Sequence, residues 1–161
     1  MAPMSEPSPR MMHMSYRRFG AMVLTSTAVM FVLMYSTVYR WSDVWWSQTR
    51  FWMALFMGAV MAVIMLAFML AMYTDRRKNS AIFAGGAVVF AIALYLARSQ
   101  ATVGDVAWMK AMIPHHSIAI LTSERAHIQD PRVRKLADDI ISAQKREIGE
   151  MESLIQELDG K

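Results

Sequence analysis

Three long stretches of this sequence, residues 19–39, 51–74 and 79–97, contain no charged side chain. An α-helix rises about 1.5 Å per residue, so roughly 20 apolar residues cross a ~30 Å hydrocarbon core. Each stretch is therefore expected to be a transmembrane helix, and the 55% hydrophobic content agrees. The first is longer than the apolar region of a signal peptide and ends without a small-residue cleavage site, so it is expected to stay as an anchor.

Basic residues set the expected orientation. Arg10, Arg17 and Arg18 precede the first stretch, and Arg76, Arg77 and Lys78 separate the second from the third. Short basic loops favour the cytoplasmic side. Both belong inside, which puts Trp41, Trp45 and Trp46 at the outer interface and residues 99–161 in the periplasm or extracellular space. Residues 1–18, with three prolines and no apolar period, are expected to be a disordered cytoplasmic arm. Met11, Met12, His13 and Met14 in that arm offer soft donors but have no scaffold, which favours a flexible start with no role.

The second stretch, "FWMALFMGAVMAVIMLAFMLAMY", repeats methionine at Met53, Met57, Met61, Met65 and Met69. Four-residue steps drift about 40° each, so the row winds slowly round the helix. Met30 and Met34 on the first stretch can meet it. A thioether path for Cu(I) competes here with apolar gap-filling, and the lack of polar groups in the stretch favours gap-filling. Gly58 with Ala62, and Ala81 with Gly85, are small pairs that permit close helix contact.

Past Arg98 the pattern becomes amphipathic. Asp105 can cap a helix through "VAWMKAMIPHHSIAILTSERAHI", and Asp130-Pro131 marks a restart, with Asp as cap and Pro in the first turn. The second helix should run to about Leu158 and end at Gly160. Its apolar stripe holds Val133, Leu136, Ile140, Ile148, Met151, Ile155 and Leu158. Two such helices bury too little to stand alone. The hairpin must dock on the membrane domain, or pair with a second copy into a four-helix bundle.

With no cysteine in the chain, soft-metal chemistry would need methionine sulfur and histidine nitrogen. Met109, Met112, His116, Ser123 and His127 follow three- and four-residue steps on the first hairpin helix, with His115 about 100° round. Gln144, Glu147 and Met151 stand at mid-length on the second. Polar groups in a buried stripe are costly without partners, and an antiparallel hairpin would bring these together. Pro114 removes a hydrogen bond beside the histidines and distorts that turn. The bland alternative is one buried, hydrogen-bonded histidine and one exposed. For His127, at a helix end, the favourable dipole alone is explanation enough.

"MIPHH" followed by "RVRKLADDIISAQKREIGEM" resembles the bacterial domain-of-unknown-function family numbered 305, of ferritin-like helical character. The resemblance implies an association with copper handling. It marks Met112, His115, His116, Gln144, Glu147 and Met151; His127 is outside its pattern. It also implies a bacterial inner (cytoplasmic) membrane setting.

The expected protein is all-α: three transmembrane helices, then an extracytoplasmic hairpin completed to a bundle by oligomerisation. Its expected function is binding copper, as Cu(I), for sequestration or delivery, with iron or zinc behind copper. Met112, His115, His116 and Met151 would be direct ligands, Gln144 and Glu147 would stand nearby, and Met109 and His127 complete the candidates. Expected partners are the lipid bilayer, further copies of the chain, and copper-delivery or efflux proteins. Nucleic acid is not expected, because the basic residues collect at segment ends. One alternative is a carboxylate-bridged di-metal oxidase, suggested by the Glu-x-x-His of "ERAH" (residues 124–127). The other is a structural membrane oligomer without metal. No nucleophilic triad or phosphate-binding loop is present.

Overall fold

The computed structural model describes residues 15–160, which form five α-helices and one short 3₁₀ turn, with no strand. The Met11–Met14 group and most of the expected N-terminal arm lie outside these residues. The helices are α1 (Tyr16–Leu33), α2 (Gln48–Phe68), α3 (Arg76–Ser99), α4 (Asp105–Arg125) and α5 (Pro131–Asp159); the turn is Trp41–Asp43.

Two helices, α2 and α3, are long and apolar enough to cross a membrane. Only 22% of the apolar window of α2 and 6% of that of α3 is buried inside the protein. The first expected span does not meet that test. Its helix ends at Leu33 rather than Tyr39 and begins with Arg17 and Arg18 among its 18 residues. At 1.5 Å per residue it reaches only about 27 Å. Residues 34–37 turn instead, and Tyr16–Arg18 of the expected arm are helical.

The middle helix is α2, packed against α1 and α3. A Cβ on Gly58 would meet Thr27 Oγ1 of α1 at 2.5 Å, and one on Gly86 would meet Val63 Cγ2 at 2.7 Å. Gly58 thus sets the α1–α2 approach as expected. Gly86 sets the α2–α3 approach, whereas Gly85 has nothing within 4 Å. At the far end from the hairpin, Phe19, Leu66 and Tyr73 form an apolar cluster. There the Tyr16 hydroxyl donates to Asn79 Oδ1 (2.8 Å), tying the start of α1 to the start of α3. Asp75 caps α3 by accepting from the Arg77 and Lys78 amides.

Helices α4 and α5 form the expected hairpin, with Asp130 capping α5 through the Arg132 amide and Pro131 in its first turn. Gly104, not Asp105, is the cap residue of α4, and α4 ends at Arg125. Pro114 lies buried inside a continuous helix. Met109, Ile113, Ile120, Ile148, Met151 and Ile155 make the hairpin core. The buried stripe of α4 is Met109, Ile113, Ser117 and Ile120, one residue round from the Met112–His116 face expected. The expected α5 stripe is buried only in part: Val133 and Leu136 are exposed.

The hairpin docks on the segment joining α1 to α2. Tyr39 and Trp45 pack against its core, so Trp45 joins the hairpin while Trp41 and Trp46 stay exposed. The Tyr39 amide donates to Ser117 Oγ (2.6 Å), whose hydroxyl donates to Asp43 Oδ2 (2.6 Å). Asp43 and Ser117 are both buried.

Candidate functional site

The eight expected site residues separate into four places. Met109 and Met151 are buried in the hairpin core, where their sulfurs sit among isoleucines. His116, Gln144 and Glu147 meet between α4 and α5. His115 and Met112 line a cavity against the ends of α1 and α2, and Met112 also packs on the hairpin core. His127 is exposed in the connection after α4, so it continues no helical face with Glu124.

In the α4–α5 group, His116 Nδ1 lies 3.1 Å from Glu147 Oε2, yet the ring nitrogen is buried without a hydrogen bond. The distance is that of an ion pair but the direction is poor, and hydrogen bonds weaken steeply off line, so the contact is weak. Gln144 Nε2 donates to the same Glu147 oxygen at 3.3 Å. Burial pushes the His116 imidazole below its ordinary range. Glu147 pulls it back up, and His115 adds to the lowering. Burial outweighs the pull of Glu147, so this ring favours its neutral, ligand-competent form.

The cavity has a volume of about 440 Å³ and is lined by Met34 from the end of α1, Met53 from α2, and Met112 and His115 from α4. Its chain geometry follows from the helices. Met34 is the C-cap of α1 and Met53 is in the second turn of α2, so both stand at the same end of the antiparallel pair. Met112 and His115 are three residues apart and share one side of α4. The two histidine rings are 6.0 Å apart at 60°, so the adjacent imidazoles serve different places.

Arg50 also lines this cavity. It donates from Nη1 to the Met34 carbonyl (3.1 Å), and its guanidinium lies 4.6 Å from the Tyr35 ring centre. No carboxylate lines the cavity. Thr37, Ser47, Thr49 and Gln100 add hydroxyl and amide groups to its lining, and among the described residues no three His, Asp or Glu side chains come together.

The family described as Domain of unknown function (DUF305) matches residues 99–161. An uncharacterized protein of Acanthamoeba polyphaga mimivirus is 33% identical over 145 residues, covering 86% of this chain and 93% of the relative. The chain belongs to the DUF305 family. The family match covers the hairpin, while the mimivirus relative extends the likeness into the apolar helices. No solved structure matches.

Sequence reasoning missed the parts of the site that come from before residue 99. In the sequence Met34 pairs only with the methionine row, Met53 is one of five, and Arg50 is the charge just before the second apolar stretch. Asp43, the sole acid between the first two apolar stretches, was the available signal for a partner in that loop.

Proposed function

We propose that this protein is a membrane-embedded binder of a soft monovalent cation, Cu(I), held where the hairpin meets α1 and α2. The observation that carries the reading is one cavity lined by three thioethers and an imidazole: Met34, Met53, Met112 and His115. Neutral sulfur and nitrogen donors suit Cu(I), and no thiol is needed. Arg50 shares the cavity, and its repulsion grows with the charge of the bound ion, so it weighs against Cu(II) and Zn(II) more than against Cu(I).

The same helices support a membrane placement. On α1, Leu24, Val29, Val32 and Leu33 are exposed, and this apolar surface lies beside the two long helices, so we read α1–α3 as one bilayer unit. Arg17, Arg18 and Arg76–Lys78 share the end away from the hairpin, joined there by the Tyr16–Asn79 bond. That basic end is proposed as cytoplasmic and the hairpin as extracytoplasmic. The role is to hold or hand on copper at that face.

A second reading has one observation behind it, the unpartnered His116 nitrogen beside Glu147. It would place a borderline ion inside the hairpin. Two donors with a weakly bonded Gln144 fall short of the usual four for zinc. A competition titration of the full chain against a chromophoric Cu(I) chelator separates the two. His115→Ala is expected to weaken binding by about tenfold or more, ~1.4 kcal/mol, and His116→Ala to leave it near the parent value. The reverse pattern would move the site into the hairpin.

A further inference from the structure

The cavity at the junction does not end the methionine row. On α1, Met30 lies one turn below Met34, and on α2, Met57 lies one turn, about 6 Å, below Met53. These lower residues line a separate groove of about 460 Å³ together with Met61 and Met65. The slow drift of a four-residue period accounts for the placement. Met53 faces the junction, Met57 and Met61 line the groove, Met65 lies between the groove and the Phe19–Leu66–Tyr73 cluster, and Met69 turns into that cluster.

We propose that this groove is a second soft-metal site, within the apolar helices, formed by the thioethers of Met30, Met57 and Met61. It rests on the junction reading for the identity of its ion, but it shares no residue with the junction. Met30, Met57 and Met61 come from two helices onto one open volume, and none of the three belongs to either buried apolar cluster, as a purely gap-filling methionine would. Phe56, Val60, Ile64 and Phe90 complete the lining, with no oxygen or nitrogen donor. A hard ion would find nothing to replace its water there. The cost of moving an ion into a low dielectric rises with the square of its charge, so a monovalent ion is the one that fits. The upper and lower thioethers are in register on both helices, so the two sites are neighbours along one path.

The test uses the full chain in lipid nanodiscs, loaded with Ag(I), which matches Cu(I) in charge and softness and does not change oxidation state. Bound silver per chain is measured by mass spectrometry after buffer exchange. Met57→Leu/Met61→Leu keeps volume and removes sulfur. It is expected to bind one silver fewer than the parent and to keep the silver that His115→Ala/Met53→Leu loses. The four-site combination should lose two. If Met57→Leu/Met61→Leu binds as much silver as the parent while His115→Ala/Met53→Leu loses one, the groove proposal is overturned and the junction reading stands. If only the groove variant loses silver, the groove proposal stands and the junction reading fails. A groove variant that changes oligomeric state with no loss of silver would make the groove a protein contact and overturn the proposal.

Discussion

Ser117 of α4 and Asp43 of the α1–α2 segment are joined across 74 residues of sequence by a buried 2.6 Å hydrogen bond. Ser117 also accepts the Tyr39 amide, so one small hydroxyl ties the hairpin to the helices below it. Ser117→Ala would leave the Tyr39 N–H without a partner and Asp43 with only the Ser42 hydroxyl. Stranding such buried groups costs about 2–4 kcal/mol in total. Hydrogen exchange at Tyr39 should accelerate by orders of magnitude, and the hairpin should become easier to cleave from the rest. Unchanged exchange at Tyr39 would mean that another contact holds the dock.

Two glycines that look alike in the sequence should respond oppositely to alanine. Gly58→Ala pushes a methyl into Thr27 and should destabilise the α1–α2 pair by about 1–3 kcal/mol. Gly85→Ala meets open space in a helix interior and should be neutral or stabilising by up to about 1 kcal/mol. Thermal unfolding in one detergent compares them directly. Equal shifts would contradict the packing described.

The helices were legible because long uncharged runs, the Asp130-Pro131 restart and the terminal Gly160 are local signals. The length of α1 was not, since uncharged residues 34–39 suit a helix as well as the turn they form. The docking loop was illegible for a related reason. Whether Asp43 faces water or a buried serine depends on where α4 lies, and no local pattern specifies that. On α4 the periodicity was right but the phase was off by one residue. Ser117 is small enough to be buried with two partners, whereas the rule used expected His116 to be the buried polar group. Splitting His115 from His116 follows from that 100° difference.

Arg50 should set ion preference through its charge. Arg50→Gln is expected to improve Zn(II) or Cu(II) binding relative to Cu(I) by roughly tenfold, a difference of ~1.4 kcal/mol. Arg50→Lys should keep the parental preference, because it keeps the charge. Parallel titrations of the three proteins with each ion give the ratio. A preference unchanged in Arg50→Gln would remove charge as the basis of selection.

In the metal-free protein, His116 should make stability depend on pH. Burial lowers its folded-state value below the ordinary imidazole value of about 6.5. As pH falls through that value the unfolded chain takes up the proton first, so stability declines. It levels off once pH passes below the folded-state value. Denaturant unfolding at pH 7.5 and 5.5 should show the loss, and His116→Gln should reduce it. A loss of the same size in His116→Gln would assign it to other groups.

Copper K-edge absorption on the Cu(I)-loaded full chain tests the junction site most directly. Mixed sulfur and imidazole scattering is expected, with the imidazole contribution lost in His115→Ala and retained in His116→Ala. Scattering from nitrogen and oxygen alone, or an imidazole contribution that disappears only in His116→Ala, would contradict the junction site.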